Sequence, residues 1–546
     1  MCEVLRSNFE TFFPLIEKAI KQAEFIAIDT EFTGLVVEPE NNPSLFDTSE
    51  ERYQKLRKNV SRLSVCQIGL SIFIQDKSSN SYEAHTFNIP LMPVSFGSVD
   101  SCFVWQASSI QFLCQFNFDF NKFAYEGVPF LNEDQERELC QCISSGVLFS
   151  GLHRPLDESF IQSLCSMVAT WYVSSSVGQT FTLHQQPSDG KLWNDFIIQT
   201  EIRKRFPEVW TSIDPFKNIA IERITPERRK ELEMKRESDK ERDQERLKQS
   251  LLGFTRVFRV MREYQKPLVG HNMLMDLLFL FDKFIHPLPI KYCSFKKQLH
   301  EIFPKIFDTK HMAFKTRKVL ERILRRDING PVSLMQLCHI LESGRVTNSV
   351  MHMPKISFAK GFDRYLSKDA PHEAGFDSYQ SGIIFLRLCH IIKFGNERII
   401  TTCPCSFNMY LSAAAPYCNC INVIRATLNH ISLDGRDPPI TRPEHLFVTC
   451  RKRSQRLNIQ QLAEWFSSYG TVDVQLKNSR TALVAAGNFS CAKAILTAFQ
   501  GHHYIRVTRY HFWKHSPAAK LVLWSGLVLS GGICIWAFAS LIKTDS

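Results

Sequence analysis

No basic stretch leading into an apolar run stands at the Met1 end, no internal repeat is evident, and no long low-complexity tract interrupts the chain. The first absence leaves no secretory leader to expect. The 17 cysteines are therefore expected in a reducing compartment, mostly as free thiols. The usual zinc-knuckle spacing is also missing from two close cysteine pairs, "CPC" and "CNC" (Cys403, Cys405, Cys418, Cys420), where one residue instead of two separates the thiols. Ordinary buried or free cysteines rank above a zinc site there. Excess charge is small as well. A net +11 on 546 residues tilts toward an acidic partner, nucleic acid or an anionic membrane surface, without choosing between them.

What is present is a well-packed globular composition, 44% hydrophobic and 22% charged, long enough for three or four units. Ser7 to Glu24 is expected to form an amphipathic helix, with Phe9, Phe12, Phe13, Ile16 and Ile20 on one side and Pro14 in its early part. "FIAIDTEFTG", "LSVCQIGLSIFIQD" and "SYEAHTFNIPLM" read as a strand followed by a hairpin-like pair. After them, strand-like and helix-like segments alternate through "KPLVGHNMLMDLLFLFDKFI", "FPKIFDTKHMA" and "DAPHEAGFDSYQSGIIFLRLCHII", which indicates an α/β core. Between Arg223 and Ser250 lies a charged helix whose acids precede bases by three residues, Asp243/Arg246 and Glu245/Lys248 among them. A solvated connecting helix is favoured there over an RNA-binding arm. Residues 444–501 give strand, helix, strand, strand, helix, the order of a small RNA-recognition-type module.

The last hydrophobic feature is of another kind. Residues 521–542 form an uncharged apolar run between Lys520 and Lys543. As a helix the run extends about 33 Å, close to a bilayer's hydrocarbon thickness. Trp524 and Trp536 lie toward its two ends, where such rings favour the interface. The run is expected to be a transmembrane tail anchor, with everything before Lys520 on the cytosolic side.

Asp29 and Glu31 contradict the apolar strand that carries them. Strand side chains alternate faces, so the two acids point the same way, and unpaired they would be costly. Divalent cations that prefer oxygen, Mg²⁺ or Mn²⁺, remove that cost. Asp276 falls in the first turn after "GHN", and Asp377 follows His372 in "HEAGFD". An ideal helix would turn His372 and Asp377 about 140° apart, so His372 is expected in the loop leading into the helix. Four acids from three elements then form a cage with a histidine at its mouth.

"IDTEF", "GHNMLMD" and "HEAGFD" resemble the three exonuclease motifs of the DEDD nucleases, in the subclass ending in His-x4-Asp. "VGHNML", "FPKIFDTK" and "HEAGFDSY" are similar to the poly(A)-specific ribonuclease branch, and the likeness covers roughly residues 1 to 512. The C-terminal apolar run points within it to a membrane-anchored group that trims small-RNA precursors. The resemblance implies an RNase H-like mixed sheet with flanking helices over 1–400, carrying a small inserted domain at about 150–250. It further implies a connector at 401–443 and a small α+β RNA-recognition-like domain at 444–512. It implies two Mg²⁺ ions, with Mn²⁺ as a substitute. Asp29 would bridge them, Glu31 and Asp377 would hold the ion carrying the attacking water, Asp276 would help hold the other, and His372 would be the general base. Phe32 either stacks on a terminal base or belongs to the core. Lys310 occupies a place near the RNA phosphate in the relatives, Asp308 supports the site without holding metal, and His271 and Asn272 shape the turn that delivers Asp276.

Two departures temper this. The inserted domain has Arg203 and Arg205 in "TEIRKRFPEVWTSID", yet neither is followed four residues later by the histidine of the relatives' RNA-binding signature. The RNA-recognition-like domain keeps Phe447, but "RTALVAAG" has no stacking aromatics, so a structural or partner-binding role is expected. The reading is a metal-dependent 3′→5′ exoribonuclease that shortens single-stranded RNA, by resemblance small-RNA precursors held by PIWI-type proteins beside a membrane-tethered Tudor-type scaffold. The anchor would lie in the endoplasmic reticulum or the mitochondrial outer membrane, and a second copy of the chain is a further partner that the resemblance suggests. A general deadenylase of mRNA tails is the enzymatic alternative. A non-catalytic RNA-binding scaffold would be expected to have lost one of the five site positions.

Overall fold

Strand β1 (Phe25–Phe32) opens with four consecutive buried residues, Phe25, Ile26, Ala27 and Ile28. An unbroken apolar run of this kind suits a strand covered on both faces. Strands β2 (Val65–Asp76) and β3 (Ser81–Pro93) follow as an antiparallel pair, β2 lying against β1. Strand β4 (Val128–Phe130) pairs parallel with β3. On the other side of β1, β5 (Leu268–Gly270) and β6 (Ile306–Asp308) add parallel, and β7 (Lys355–Phe358) runs parallel to β3. The result is a mixed seven-stranded sheet of order β6-β5-β1-β2-β3-β7, with β4 off that path, in an α/β fold.

The computed structural model describes residues 3–76, 78, 81–96, 99–145, 155–183, 192–216, 218–325, 327–328, 332–344, 346, 350, 352–366, 369–394, 405–516, 519, 521–522 and 525, with backbone alone at 155–160, 192–194, 196 and 236–240. Two units emerge. Residues 1–41, 56–422 and 432–436 form one, and residues 42–55, 423–431 and 437–546 the other.

In the first unit, α1 (Phe9–Gln22) contains Pro14 and buries Phe9, Ile16, Ala19 and Ile20. Helix α2 (Ala107–Gln115) buries only Leu113. The charged segment forms α3 (Pro226–Leu252), started by Pro226 at its first position and by the Thr225 hydroxyl, which accepts the Arg228 N–H at 3.2 Å. Of the expected pairs, Asp243–Arg246 is found at 4.0 Å, while Lys248 turns to Glu136 at 3.5 Å, because a partner outside the helix is within its reach. In the inserted region, strands Thr180–Leu183, Val209–Ile213 and Ile219–Arg223 make an antiparallel sheet with the last in the middle. There Arg203 packs over Trp210 at 4.2 Å and donates to Gln199 Oε1 at 2.9 Å.

Helices α4 (Leu274–Phe284), α5 (Thr309–Leu324) and α6 (Ala374–Phe394) flank the sheet. Helix α6 is buried almost all round, which its uniform apolarity requires. Its core partner is an aromatic stack: Phe25 lies 4.6 Å from Phe73, 5.1 Å from Phe385 and 5.5 Å from Phe407. Residues 405–422, expected within a connector, therefore contribute Phe407 and Tyr410 to this core, and Gln75 fixes them by donating to Cys405 O at 2.7 Å. Burial raises the pKa of the Cys405, Cys418 and Cys420 thiols. Cys403 lies outside the described residues.

The second unit holds β8 (Leu446–Cys450), α7 (Ile459–Ser467), β9 (Val472–Asn478), β10 (Thr481–Ala486), α8 (Phe489–Ala498) and β11 (Ile505–Arg509). Its sheet order is β9-β10-β8-β11. Leu446, Val448, Ala482 and Val484 pack in one core with Leu462, Phe466 and Ile495 of the two helices. Phe447 and Leu483, which pair across the strands, face the other way. That second face is closed: Phe447 stacks on His515 at 4.3 Å, and Leu483 is buried. Segment 42–55 belongs to this unit, where Asp473 accepts the Leu45 N–H at 2.6 Å. Among the described residues no helix is long and apolar enough to cross a membrane. Apart from Leu521, Val522 and Ser525, the expected anchor at 521–542 lies outside them.

Candidate active site

The site is assembled where β1 meets the first turns of α4 and α6. Asp29 and Glu31 project from the same face of β1 and stand partly exposed, opposite Gly69 and Gln67 of β2. Asp276 in α4 and Asp377 in α6 are each only 7% exposed and sit in first turns, where the positive end of the helix dipole favours an anion. The Thr30 hydroxyl donates to Asp276, and the His372 backbone N–H donates to Asp377 at 3.1 Å. His372 lies ahead of α6 with φ at 62°, in the left-handed region. One ligand atom from each of Glu31, His372 and Asp377 lies within 4.8 Å of the others.

The electrostatics of this group are uniform in sign. Burial, and then the charges of Asp377, Asp276 and Glu31, hold Asp29 well above the usual carboxylate range. Glu31 is raised by burial and by Asp377 and Asp276. Burial pushes Asp276 up to about 6 against the hydrogen bond from Thr30, and Asp377 up to about 7 against the one from His372. No lysine or arginine offsets the four acids among the described residues. Four carboxylates gathered at one site, two of them buried, are the donor set of a hard divalent ion, so the residues fit such a metal.

Asp308 is the contrasting carboxylate. It is fully buried, yet it accepts N–H groups from Asn272 (2.9 Å), Met273 (3.2 Å), Lys310 (2.9 Å), His311 (3.4 Å) and Asn422 (3.0 Å). Its capacity is spent tying the turn before α4 to the start of α5. Asn272, at φ 60°, makes that turn and accepts a hydrogen bond from Asn422 at 2.8 Å. His271 meets Thr309 at 2.9 Å, and burial drops its pKa to about 3, so it is a neutral packing group. Lys310 is half-buried, which lowers its pKa. Phe32 stacks on buried Phe279 at 4.3 Å and is itself partly exposed, so it combines a core contact with some access to solvent.

Several supporting residues escaped the sequence reading. Gln67 accepts the Ala374 N–H at 2.9 Å, and Asn88 accepts the Gly375 N–H at 3.0 Å. These two amides satisfy the orphan donors at the start of α6 and fix the turn that carries Asp377. A Cβ on Gly69 would fall 1.8 Å from the Ala374 carbonyl oxygen, so only glycine lets that turn lie against the strand opposite Asp29. The signal of Gln67 and Gly69 was legible: in "VCQIGLSIF" an amide and a glycine interrupt an apolar strand. Phe112 and Phe116, which pack on His372, gave none, since they are two phenylalanines of a separate helical segment.

Residues 4–385 match the CAF1 family ribonucleases. The chain is 32% identical over 554 residues to the pre-piRNA 3′-exonuclease trimmer of Bombyx mori, covering 99% of each chain. It is 32% identical over 533 residues to the poly(A)-specific ribonuclease PNLDC1 of Mus musculus, covering 95% of this chain and 96% of that one. With the human poly(A)-specific ribonuclease PARN it shares 29% identity over 521 residues, 88% of this chain and 76% of the relative. A match over most of its length, together with relatives above 30% identity, means that the chain belongs to the CAF1 ribonuclease family.

Proposed function

We propose that this ribonuclease is a metal-dependent 3′→5′ exonuclease that trims single-stranded RNA to 5′-nucleotides, with piRNA precursors as its substrate. The observation that carries the reading is the unneutralised cage of Asp29, Glu31, Asp276 and Asp377. Those four residues would hold two divalent cations, Mg²⁺ or Mn²⁺, which would supply charge stabilisation to the attacking and leaving oxygens of the phosphodiester. His372 takes the proton of the attacking water at a ring nitrogen, and its lowered pKa keeps the ring unprotonated and ready to do so at neutral pH. The His372 N–H to Asp377 bond holds the loop beside the cage. Phe32, partly exposed, stacks on the terminal base, a contact of about 1–3 kcal/mol in single-strand sites. Lys310, beside the same turn, supplies positive charge toward the RNA phosphate.

The substrate is suggested by the Bombyx mori relative, a pre-piRNA 3′-exonuclease trimmer. PIWI-type proteins presenting the precursor beside a Tudor-type scaffold define where trimming stops. A second reading, a general poly(A) deadenylase, is favoured by the names of the Mus musculus and human relatives. One assay separates them. Labelled mixed-sequence single-stranded RNA should shorten by single nucleotides with Mg²⁺ and stop shortening with EDTA. Shortening that persists in EDTA refutes the metal-dependent reading, and a large rate advantage for oligo(A) of equal length favours the deadenylase.

The apolar run 521–542 serves as a tail anchor that leaves both units on the cytosolic face of the endoplasmic reticulum or mitochondrial outer membrane. The full chain should stay with membranes through alkaline carbonate extraction, and deletion of 521–542 should release it. A deletion variant that remains with the membrane pellet removes this part of the proposal.

A further inference from the structure

We infer that Phe112 and Phe116 are positioning residues that hold the His372 imidazole in line with the carboxylate cage. The inference rests on the reading of His372 as the proton acceptor. The Phe112 ring lies 4.7 Å from the imidazole at 75°, edge to face, and the Phe116 ring lies 4.2 Å away at 55°. The Phe112 arrangement is one at which aromatic rings attract, and Phe116 packs closer still, in direct contact with the imidazole.

A histidine acting as a base is ordinarily turned by a hydrogen bond to its other ring nitrogen, from a carboxylate or a backbone carbonyl. Among the described residues His372 is bonded through its backbone N–H alone, to Asp377. That bond fixes where the loop starts and leaves the ring free to rotate about the side-chain torsions. The backbone sits in the left-handed region, so nothing in the chain's own preference selects this placement. Yet a ring nitrogen is found within 4.8 Å of ligand oxygens of both Glu31 and Asp377. The two phenylalanines are the groups that remain to keep it there.

Helix α2 is built to hold those rings still. Leu113, between them, is buried in a small core with Cys66 and Phe123. Gln106, at the helix start, accepts the N–H groups of Leu35 at 2.9 Å and Val36 at 3.2 Å, while its own N–H donates to Thr33 O at 2.9 Å. One short helix is thereby tied at its start to the chain leaving β1, a few residues beyond Glu31, and packs on His372 near its end. Phe112 is 40% exposed, so hydrophobic burial gives it little reason to be aromatic; contact with His372 does. A misplacement of about 1 Å in a reacting group costs up to about a hundredfold in rate, so modest packing forces suffice to matter.

The test uses the full chain with Mg²⁺ and a short labelled single-stranded RNA, measured for kcat and KM separately. Phe112→Leu and Phe116→Leu should each lower kcat about ten- to a hundredfold with KM nearly unchanged, and Phe116→Tyr, which keeps the ring, should restore most of it. Thermal midpoints of the variants should stay close to that of the parent. In a His372→Ala background the leucine substitutions should cost nothing further, because the group they position is gone. An equal fall in that background, a rise in KM at unchanged kcat, or full activity in both leucine variants each overturns the inference while leaving His372 as the base. Full activity of His372→Ala alone overturns that assignment, and the clamp with it.

Discussion

Asp29→Asn should lower kcat for RNA shortening by at least about a thousandfold, several kcal/mol of lost charge stabilisation, without unfolding the protein. Asparagine keeps the size of aspartate, and the backbone pairing of residue 29 with Gly69 does not involve the side chain. What changes is the charge that all three other acids face, since Asp377, Asp276 and Glu31 each act on Asp29. Removing the central member therefore weakens the whole cage for cations, where removing a peripheral carboxylate would weaken one side. Single-turnover rates on labelled RNA measure the loss, and circular dichroism checks the fold. Adding Glu31→Gln to Asp29→Asn should cost little beyond the first substitution, because residues acting as one unit are strongly non-additive. An Asp29→Asn protein within tenfold of the parent rate, at saturating Mg²⁺, would remove the cage from the chemistry.

The five acidic and histidine positions were readable because each breaks a local pattern. Asp29 and Glu31 interrupt an apolar strand at a spacing of two, which the strand period places on one face. Asp276 and Asp377 fall in first turns that "GHN" and "HEAG" announce. The alternation of strand and helix gave the α/β core for the same reason, since hydrophobic period is a local property. The supports were less visible because they act across the sheet. Gln67 reaches α6 only once β2 lies beside β1, and Phe116 meets His372 across a sequence gap that no period spans. The core contribution of residues 405–422 was not legible, since Phe407 and Tyr410 join the core only once Phe25 and α6 are in place. Strand β10 lacks base-stacking aromatics, and His515 lying on Phe447 adds a physical block that only the fold reveals.

Neutralising one acid of the cage should stabilise the metal-free protein. Asp276 and Asp377 are raised from 3.8 to about 6 and about 7, so at neutral pH the fold holds charge that an unfolded chain would carry at lower cost. The contribution is fully present below about pH 4, where both states are protonated, and is lost as pH rises toward 7. Between those limits the unfolded chain has released protons that the folded one retains, so the stability of the metal-free parent should fall with rising pH. Asp377→Asn removes one titrating group and relieves Asp29 and Glu31, and should gain about 2 kcal/mol at pH 7, read as several degrees in the midpoint of the unit that holds the site. Divalent cations reverse the order. Mg²⁺ or Mn²⁺ at a hundred times its dissociation constant adds about 2.7 kcal/mol to the parent, which has the full donor set, and much less to the variant. Thermal unfolding in EDTA and in Mg²⁺, across pH 5 to 8, therefore should show two curves that cross. A parent that outlasts Asp377→Asn in EDTA at pH 7 would mean that the four carboxylates are not held apart from a compensating charge, and the case for resident cations would lose its electrostatic basis.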